Sequence, residues 1–355
     1  MNLRNDKAPP KSLSGYCVTS IREFLIIYGG YDNKERADCN ELWSYNTISD
    51  VWNRYQTPIE IKDTPTGSSI CAVKNLIYIF GGQRLYDNYR HSNSLISFDI
   101  TSSTWNSLYP HTGDYDENTP PPMYATSLYF HNGSLYVLGG CHYNSCFVTI
   151  YQFTLKTSTW SLVEQNGPET AFWAGGIFRT VFKNQLYCFG SSLRETDRFR
   201  DVVIFDFLTR TWTTRPTNSK TELYPCDRTG ETFAFSTKFG FLSGGGCLTG
   251  FYTDIWKIDL ETLEWSKMDY NLNAEIMDHN MCIVDETYLY VYGGLDTDLN
   301  DLDSMERFTL KLPTLYRLGL ESVCRSPNRT SYVMSLPSAI LDELNLVDND
   351  SLSDV

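Results

Sequence analysis

Residues 76–82 read "LIYIFGG", and close variants return around the chain: "FLIIYGG" (24–30), "SLYVLGG" (134–140), "QLYCFGS" (185–191), "FGFLSGG" (239–245) and "YLYVYGG" (288–294). Each copy is an apolar run of strand length closed by a doublet of small residues. Five of the six are followed, 20 to 23 residues beyond the doublet, by an aromatic run, a short polar turn and a tryptophan. These stretches are "LWSYNTISDVW", "LISFDITSSTW", "IYQFTLKTSTW", "VVIFDFLTRTW" and "IWKIDLETLEW", ending at Trp52, Trp105, Trp160, Trp212 and Trp265. Glycine at the end of a strand permits a sharp turn and close backbone approach, while the aromatic residue and the Trp fill the space between neighbouring sheets. A unit of this size cannot bury both of its faces alone, so the copies must stack on one another to make a core. On this reading the recurring residues are scaffold, and function lies between them.

The unit resembles the kelch repeat, a four-stranded propeller blade of about fifty residues. The resemblance covers residues 13 to 312 and implies an all-β fold, a six-bladed kelch β-propeller preceded by a short extension over residues 1–12.

A length of 355 residues accommodates one large β domain. Aromatic residues at 14%, with 24 Tyr, 19 Phe and 8 Trp, suit strands separated by turns better than a helical bundle. The first twenty residues lack a signal-like apolar core, and no apolar run reaches the length needed to span a bilayer. The expectation is a soluble protein without membrane contact, cytoplasmic, with a nuclear location also open. Ten cysteines without a CxxC pair read as reduced thiols, so the N-x-S/T triplets at Asn132 and Asn328 are chance matches. The net charge of −14 opposes nonspecific binding of nucleic acid.

Catalytic and metal motifs do not emerge, so the chain reads as non-enzymatic, with no catalytic residue, cofactor or metal. His91, His111, His131, His142 and His279 form no metal-ligand spacing, and Cys141 with Cys146 lacks two further ligands nearby. There is no G-x-S-x-G elbow, and "SGGGCLTG" (243–250) lacks the Lys and Ser/Thr that a phosphate cradle requires.

The sixth copy ends differently. Aligning "FTLKTSTW" (153–160) with "FTLKLPTL" (308–315) puts Leu315 where Trp160 stands, so the last strand of blade six is missing or supplied from elsewhere. Pro313 suits a first helical turn, and Leu315, Leu318, Ser322 and Val323 fall at i, i+3, i+7 and i+8, giving one mostly apolar helical face. That face requires a partner, either the propeller or a second protein. In "LPSAILDEL" (336–344), Pro337 suits a helix start with Ser335 as a cap, and Ile340, Leu341 and Leu344 share a face. The segment 313–346 thus reads as helical and 347–355 as a solvated acidic tail.

A propeller followed by such a segment resembles the kelch-repeat substrate receptors of cullin-2 ubiquitin ligases. Their Elongin-binding box begins with a small residue and Leu, followed by Cys and then an aliphatic. Thr314, Leu315, Gly319 and Val323 match it with glycine in place of the cysteine. A register running from Leu320 to Cys324 restores the cysteine but puts Gly319 first and Asn328 at the aliphatic position. Leu336, Pro337 and Ile340 match the family's cullin-selecting segment. The resemblance implies docking of Elongin B, Elongin C and cullin-2, with Leu318 on the adaptor face. It also implies that the propeller binds the free C-terminal carboxylate of client proteins ending in glycine or small residues.

A guanidinium offers two parallel donors to such a carboxylate. "SSLRETDRFRDV" carries Arg194, Arg198 and Arg200, and "CDRTGETF", one blade later, carries Arg228 and Thr229. These two loops resemble the family's arginine-bearing loops. Arg84 and Arg90 occupy the corresponding loop of blade two, while Tyr124 and Trp173 precede the first strands of later repeats and would wall a pocket. Pairing of the arginines with Glu195, Asp197, Asp201 and Asp227, and core packing of the two aromatics, remain the alternatives. For the whole chain the alternative is a kelch scaffold for a cytoskeletal or signalling partner, outside any ligase.

Overall fold

The computed structural model describes residues 4–6, 10–11, 13–61, 65–85, 90–142, 145–167, 178–190, 197–248, 250–326 and 335–343. Its strands form six antiparallel sheets that are the blades of a β-propeller. Blade two is the plain case, with Ser69–Val73, Leu76–Phe80, Leu95–Asp99 and Thr104–Tyr109 in consecutive order from the inside out. Blades three, four and five repeat that order. Their first strands, Ser127–His131, Phe178–Phe182 and Thr232–Phe235, touch their counterparts in neighbouring blades.

The repeated residues do what their chemistry suggests. Gly29 sits at φ +73°, and a Cβ there would collide with the carbonyl oxygen of Pro65 in the loop entering blade two. Gly81 sits at φ +66°, where a Cβ would lie 2.5 Å from the Met123 carbonyl oxygen at the entry to blade three. In blades one and two the doublets are therefore where the blade's turn presses on the next blade's incoming chain. Four of the five repeat tryptophans stand opposite an aromatic of the preceding strand, and Trp265 stands opposite Ile258. Phe98 with Trp105, Phe153 with Trp160 and Phe205 with Trp212 are cross-strand partners, with ring centroids 4.8, 4.9 and 4.9 Å apart. Each such pair adds about 0.5–1.5 kcal/mol beyond its buried area.

Blades one and six depart from the pattern. Blade one gains a fifth, outermost strand, Arg4–Asp6, on the edge of Val51–Gln56. Blade six has three strands among the described residues, Asn280–Val284, Tyr288–Tyr292 and Met305–Thr309, and no other described strand completes it. The N-terminal strand thus thickens blade one and does not repair blade six. Side chains close the ring instead. Ser20 donates to the Ile283 carbonyl (2.6 Å), Tyr16 to the Tyr292 carbonyl (2.8 Å) and Tyr292 to the Pro10 carbonyl (2.6 Å). Trp52 packs its ring 6.2 Å from that of Tyr292.

After blade six the chain forms helix α1 (Leu315–Arg325) and, later, the short helix α2 (Ser338–Glu343). No helix among the described residues is long and apolar enough to cross a membrane.

Candidate functional site

The antiparallel order of each blade puts two sets of connections at opposite ends of the propeller. The loops that follow the doublets meet the loops entering each first strand at one end, the mouth. Paired backbone bridges mark that rim: Ser14 with Tyr31, Thr66 with Gln83, Tyr124 with Cys141, Thr229 with Gly246 and Met277 with Leu295. The tight turns within blades, including Thr47–Ser49 and Asp285–Thr287, lie at the other end, the underside.

Arg198, Arg200, Arg228 and Thr229 come together at the mouth of blades four and five, but in different states. Arg228 is fully buried. It donates to Asp254 at 2.6 Å, to the Gly244 carbonyl at 3.3 Å and to the Cys226 carbonyl at 3.1 Å, and its guanidinium lies 4.0 Å from the centre of the Tyr252 ring. Burial works against the Asp254 carboxylate, yet the Arg228 hydrogen bonds and charge prevail and hold its pKa below the usual carboxylate range. Arg198, with a fifth of its side chain exposed, reaches Glu231 at 2.9 Å and donates to the Gly190 and Arg228 carbonyls. Burial pushes the Glu231 carboxyl up, against the opposing pull of Arg198.

Arg200 is half-exposed, stacked 3.6 Å over the Tyr224 ring and 3.7 Å from Asp197. Thr229, next to Arg228 in sequence, is exposed, its backbone held by Gly246. Of the pairs the sequence suggests, Arg200 with Asp197 is present, while the other two arginines take different partners. Asp227 accepts from the backbone N–H groups of Asp197 and Arg198 (2.7 Å each), while Glu231 and Asp254 neutralise the guanidinium groups. Arg228 accordingly braces the rim from within, and Arg200 with Thr229 presents the outward donors.

Arg84 is half-buried, its N–H donating to the carbonyl of exposed Arg90. Tyr124 is half-buried, its ring 5.0 Å from that of His91. Arg194 and Trp173 lie outside the described residues, as does Glu195. No group of three or more His, Cys, Asp or Glu side chains among the described residues is placed to hold a metal ion.

The underside carries α1. Thr314 is its N-cap, the hydroxyl accepting from the Arg317 N–H at 3.1 Å, so Pro313 precedes the cap and stands outside the first turn. The helix faces the propeller with Arg317, Leu320 and Glu321, all buried. Arg317 donates to Asp285 in blade six (2.6 Å), to Glu321 one turn on (2.7 Å), and to the carbonyl and hydroxyl of Thr47 in blade one (2.8 Å each). Tyr288 donates to Glu321 at 3.2 Å. Leu320 packs on Ile48, with Val323, Cys324, Leu336, Ile340 and Leu341 around them.

The opposite face of α1 is the apolar one. Leu315 is 87% exposed, Tyr316 55% and Leu318 44%. Gly319 and Ser322 are exposed on the same side, and a groove lined by Leu318, Glu321, Ser322, Arg325 and Ser326 runs along it.

The structure thereby divides the face read from the sequence. Leu315, Leu318 and Ser322 point outward, but Val323 joins the inner cluster, because the stripe winds round the helix as it passes the Ile48 contact. Leu336 and Ile340 are likewise half-buried against that cluster, and Pro337 is exposed, its carbonyl accepting from the N–H groups of Ile340 (2.9 Å) and Leu341 (3.1 Å). The anchor itself, Arg317 with Asp285, was not legible from the sequence. The one signal available is an Arg and a Glu at i and i+4 on the side away from Leu315 and Leu318.

Comparison with known proteins agrees with this architecture. The KLHDC2/KLHL20/DRC7 Kelch-repeats domain family matches residues 15–245 and 176–335. Among similar proteins, mouse Kelch domain-containing protein 1 is 24% identical over 293 residues, which cover 80% of this chain and 63% of that protein. The chain thus spans less than two thirds of that relative's length. Kelch domain-containing protein 10 of Xenopus tropicalis is 20% identical over 365 residues, covering 96% of this chain and 88% of that protein. Human Kelch domain-containing protein 10 is 22% identical over 335 residues, covering 89% and 74%.

Proposed function

Given that this chain belongs to the KLHDC2/KLHL20/DRC7 Kelch-repeat family, we propose that it is the substrate-recognition subunit of a cullin-2/Elongin ubiquitin ligase. Protein interaction through a non-enzymatic propeller is the role common to family and fold; the ligase assembly and the client class are the further reading. The observation that carries it is the polarity of α1. A helix that only completed the fold would turn its leucines inward. This one turns a single leucine, Leu320, inward between Arg317 and Glu321 and leaves Leu315, Tyr316 and Leu318 in solvent. Large apolar side chains presented together on a rigidly anchored helix favour a protein partner.

In sequence, Thr314, Leu315, Gly319 and Val323 match the Elongin-binding box of the resembling receptors, with glycine for its cysteine and with Val323 turned toward the propeller, and Leu336, Pro337 and Ile340 match the cullin-selecting segment. With α1 on the underside, an adaptor would leave the mouth open for a client. There Arg200 and Thr229, backed by Arg198 and Arg228, would receive a terminal carboxylate, with Arg84 and Tyr124 on the neighbouring rim. Arg194 and Trp173 complete the proposed set from the sequence alone.

Co-purification tests the adaptor half. The full chain should retain the Elongin B–Elongin C pair and cullin-2, and Leu315→Ser with Leu318→Ser should release them while leaving thermal stability unchanged. Equal recovery of the pair with both forms, or none with either, would favour a scaffold for a cytoskeletal or signalling partner.

A further inference from the structure

We propose that Cys141 and Cys146 are a peroxide-sensing thiol pair, which closes a reversible disulfide across the mouth of blade three. Blade three carries a paired extension at this rim. Its second and third strands, Ser134–His142 and Ser145–Thr154, run on past the glycine doublet as one hairpin, with Gly140 opposite Phe147, Cys141 opposite Cys146 and His142 opposite Ser145. The two Sγ atoms stand 2.6 Å apart.

Backbone geometry favours bond formation. The Cys141 N–H donates to the Tyr124 carbonyl (2.8 Å) and its carbonyl accepts from the Tyr124 N–H (3.0 Å). Both groups therefore point away from Cys146. Cys141 and Cys146 are then a non-hydrogen-bonded pair, the kind whose Cα atoms approach to about 4.5 Å and whose side chains come closest. That separation lies inside the range of about 4.4–6.8 Å that a disulfide spans without backbone movement.

The two thiols are unequal in a way that orders the chemistry. Cys146 is exposed and Cys141 is buried. Burial, reinforced by the adjoining Cys146 thiol, pushes the Cys141 thiol up to about 12, which leaves Cys146 as the first to react. Its sulfur attacks hydrogen peroxide. An S–O bond forms, the O–O bond breaks, and the departing oxygen takes the thiol proton to leave as water. The Cys141 sulfur then attacks the Cys146 sulfenic acid, an S–S bond forms, and the sulfenyl oxygen leaves as water with the Cys141 proton. Two thiols lose two electrons in all, and one peroxide becomes two waters. A thiol reductant reverses the change.

Closure would stiffen a rim patch that joins blades two and three. Cys141 is bridged to Tyr124, whose ring lies 5.0 Å from His91, and the His91 ring lies 5.3 Å from His142. The pair stands independently of the client reading, since its chemistry involves no other protein.

Peptide mapping of the full-length protein tests it. The reduced protein is treated with hydrogen peroxide, alkylated and digested without reductant. The peptide holding both cysteines should be lighter by a pair of hydrogens, resist alkylation, and regain both alkyl groups after dithiothreitol. Cys146→Ser, at an exposed position, should leave Cys141 fully alkylated under the same treatment. The proposal is overturned if both thiols stay alkylatable, if Cys146 proceeds to sulfinic acid unlinked, or if either joins another cysteine.

Discussion

Arg317 of the C-terminal helix donates to Asp285 across 2.6 Å, although 32 residues separate them in the chain. The same guanidinium holds Thr47 of blade one, so a single cation ties the helix to the two blades at which the ring closes. Helix and closure are therefore one structure. Arg317→Ala would leave Glu321 buried with only partly exposed arginines, Arg325 at 3.3 Å and Arg307 over the Tyr288 ring, for charge balance. Removing one partner from a buried ion pair costs about 3–5 kcal/mol. Denaturant titration should show a loss of that size, and limited proteolysis should cut the chain between blade six and α1. Arg317→Lys should recover part of the stability, because an ammonium cannot reach Asp285, Glu321 and Thr47 together.

Gly319 separates helix stability from adaptor affinity. It is exposed in the interior of α1, and a Cβ there would meet nothing within 4 Å. Gly319→Ala should stabilise the helix by about 1 kcal/mol, read as increased protection of the α1 amides in hydrogen exchange. Gly319→Cys installs the residue that the resembling receptors carry in their box. On the adaptor reading it should tighten binding of the Elongin B–Elongin C pair beyond the gain from Ala. Equal affinities for the two variants would place the adaptor's pocket elsewhere.

The six blades were legible because their determinants are local and repeated. A glycine doublet, an aromatic and a Trp each do their work within one blade or against the next, and Phe98 with Trp105 is the same contact as Phe153 with Trp160. The presence of a helix after blade six was legible from the leucine spacing, although it starts two residues later than Pro313 suggested, behind the Thr314 cap. Periodicity, however, identifies two sides of a helix without saying which one faces the domain. The inward side was hidden because the contacts that anchor it on either side of Leu320 are polar. Arg317 and Glu321 look like a solvated pair until Asp285, Thr47 and Tyr288 are brought beneath them by ring closure. Arg228 was hidden in the same way, since its partner Asp254 belongs to the third strand of blade five and carries no mark in the loop itself.

His279 gives the propeller an acid-sensitive point at its centre. It is buried, with Nε2 2.9 Å from the Ser243 hydroxyl, and a Cβ on Gly244 would collide with its ring. Burial lowers its pKa from the usual value near 6.5 to about 3. The folded state therefore favours the neutral ring. Its contribution is fully present above pH 6.5 and is lost as the pH falls toward 3, because the unfolded chain takes up the proton first. The loss should run at about 1.4 kcal/mol per pH unit. His279→Gln should flatten the stability profile between pH 6 and 4, in which urea midpoints are the measurement. A profile unchanged by the substitution would mean that carboxylates set the acid limb.

Among the mouth arginines, Arg200 presents donors and Arg228 braces. Arg228 has no exposed side-chain surface and gives its donors to Asp254 and to two carbonyls. Arg228→Ala should thus lower stability and distort the rim, and weakened client binding in that variant would not identify a contact. Arg200 is half-exposed and its chief support is the Tyr224 ring, so Arg200→Ala should leave stability within about 0.5 kcal/mol of the parent. A peptide ending in glycine with a free carboxylate should lose about 2 kcal/mol of affinity on this substitution, roughly thirty-fold. Amidation of the same peptide should cost the parent protein a similar amount and the Arg200→Ala variant little more, since both changes remove the same charge pair. Calorimetric titration of the four combinations gives the coupling directly. If the two losses add in full, Arg200 contacts another part of the client, and the terminal carboxylate lies against Arg198 or Thr229 instead.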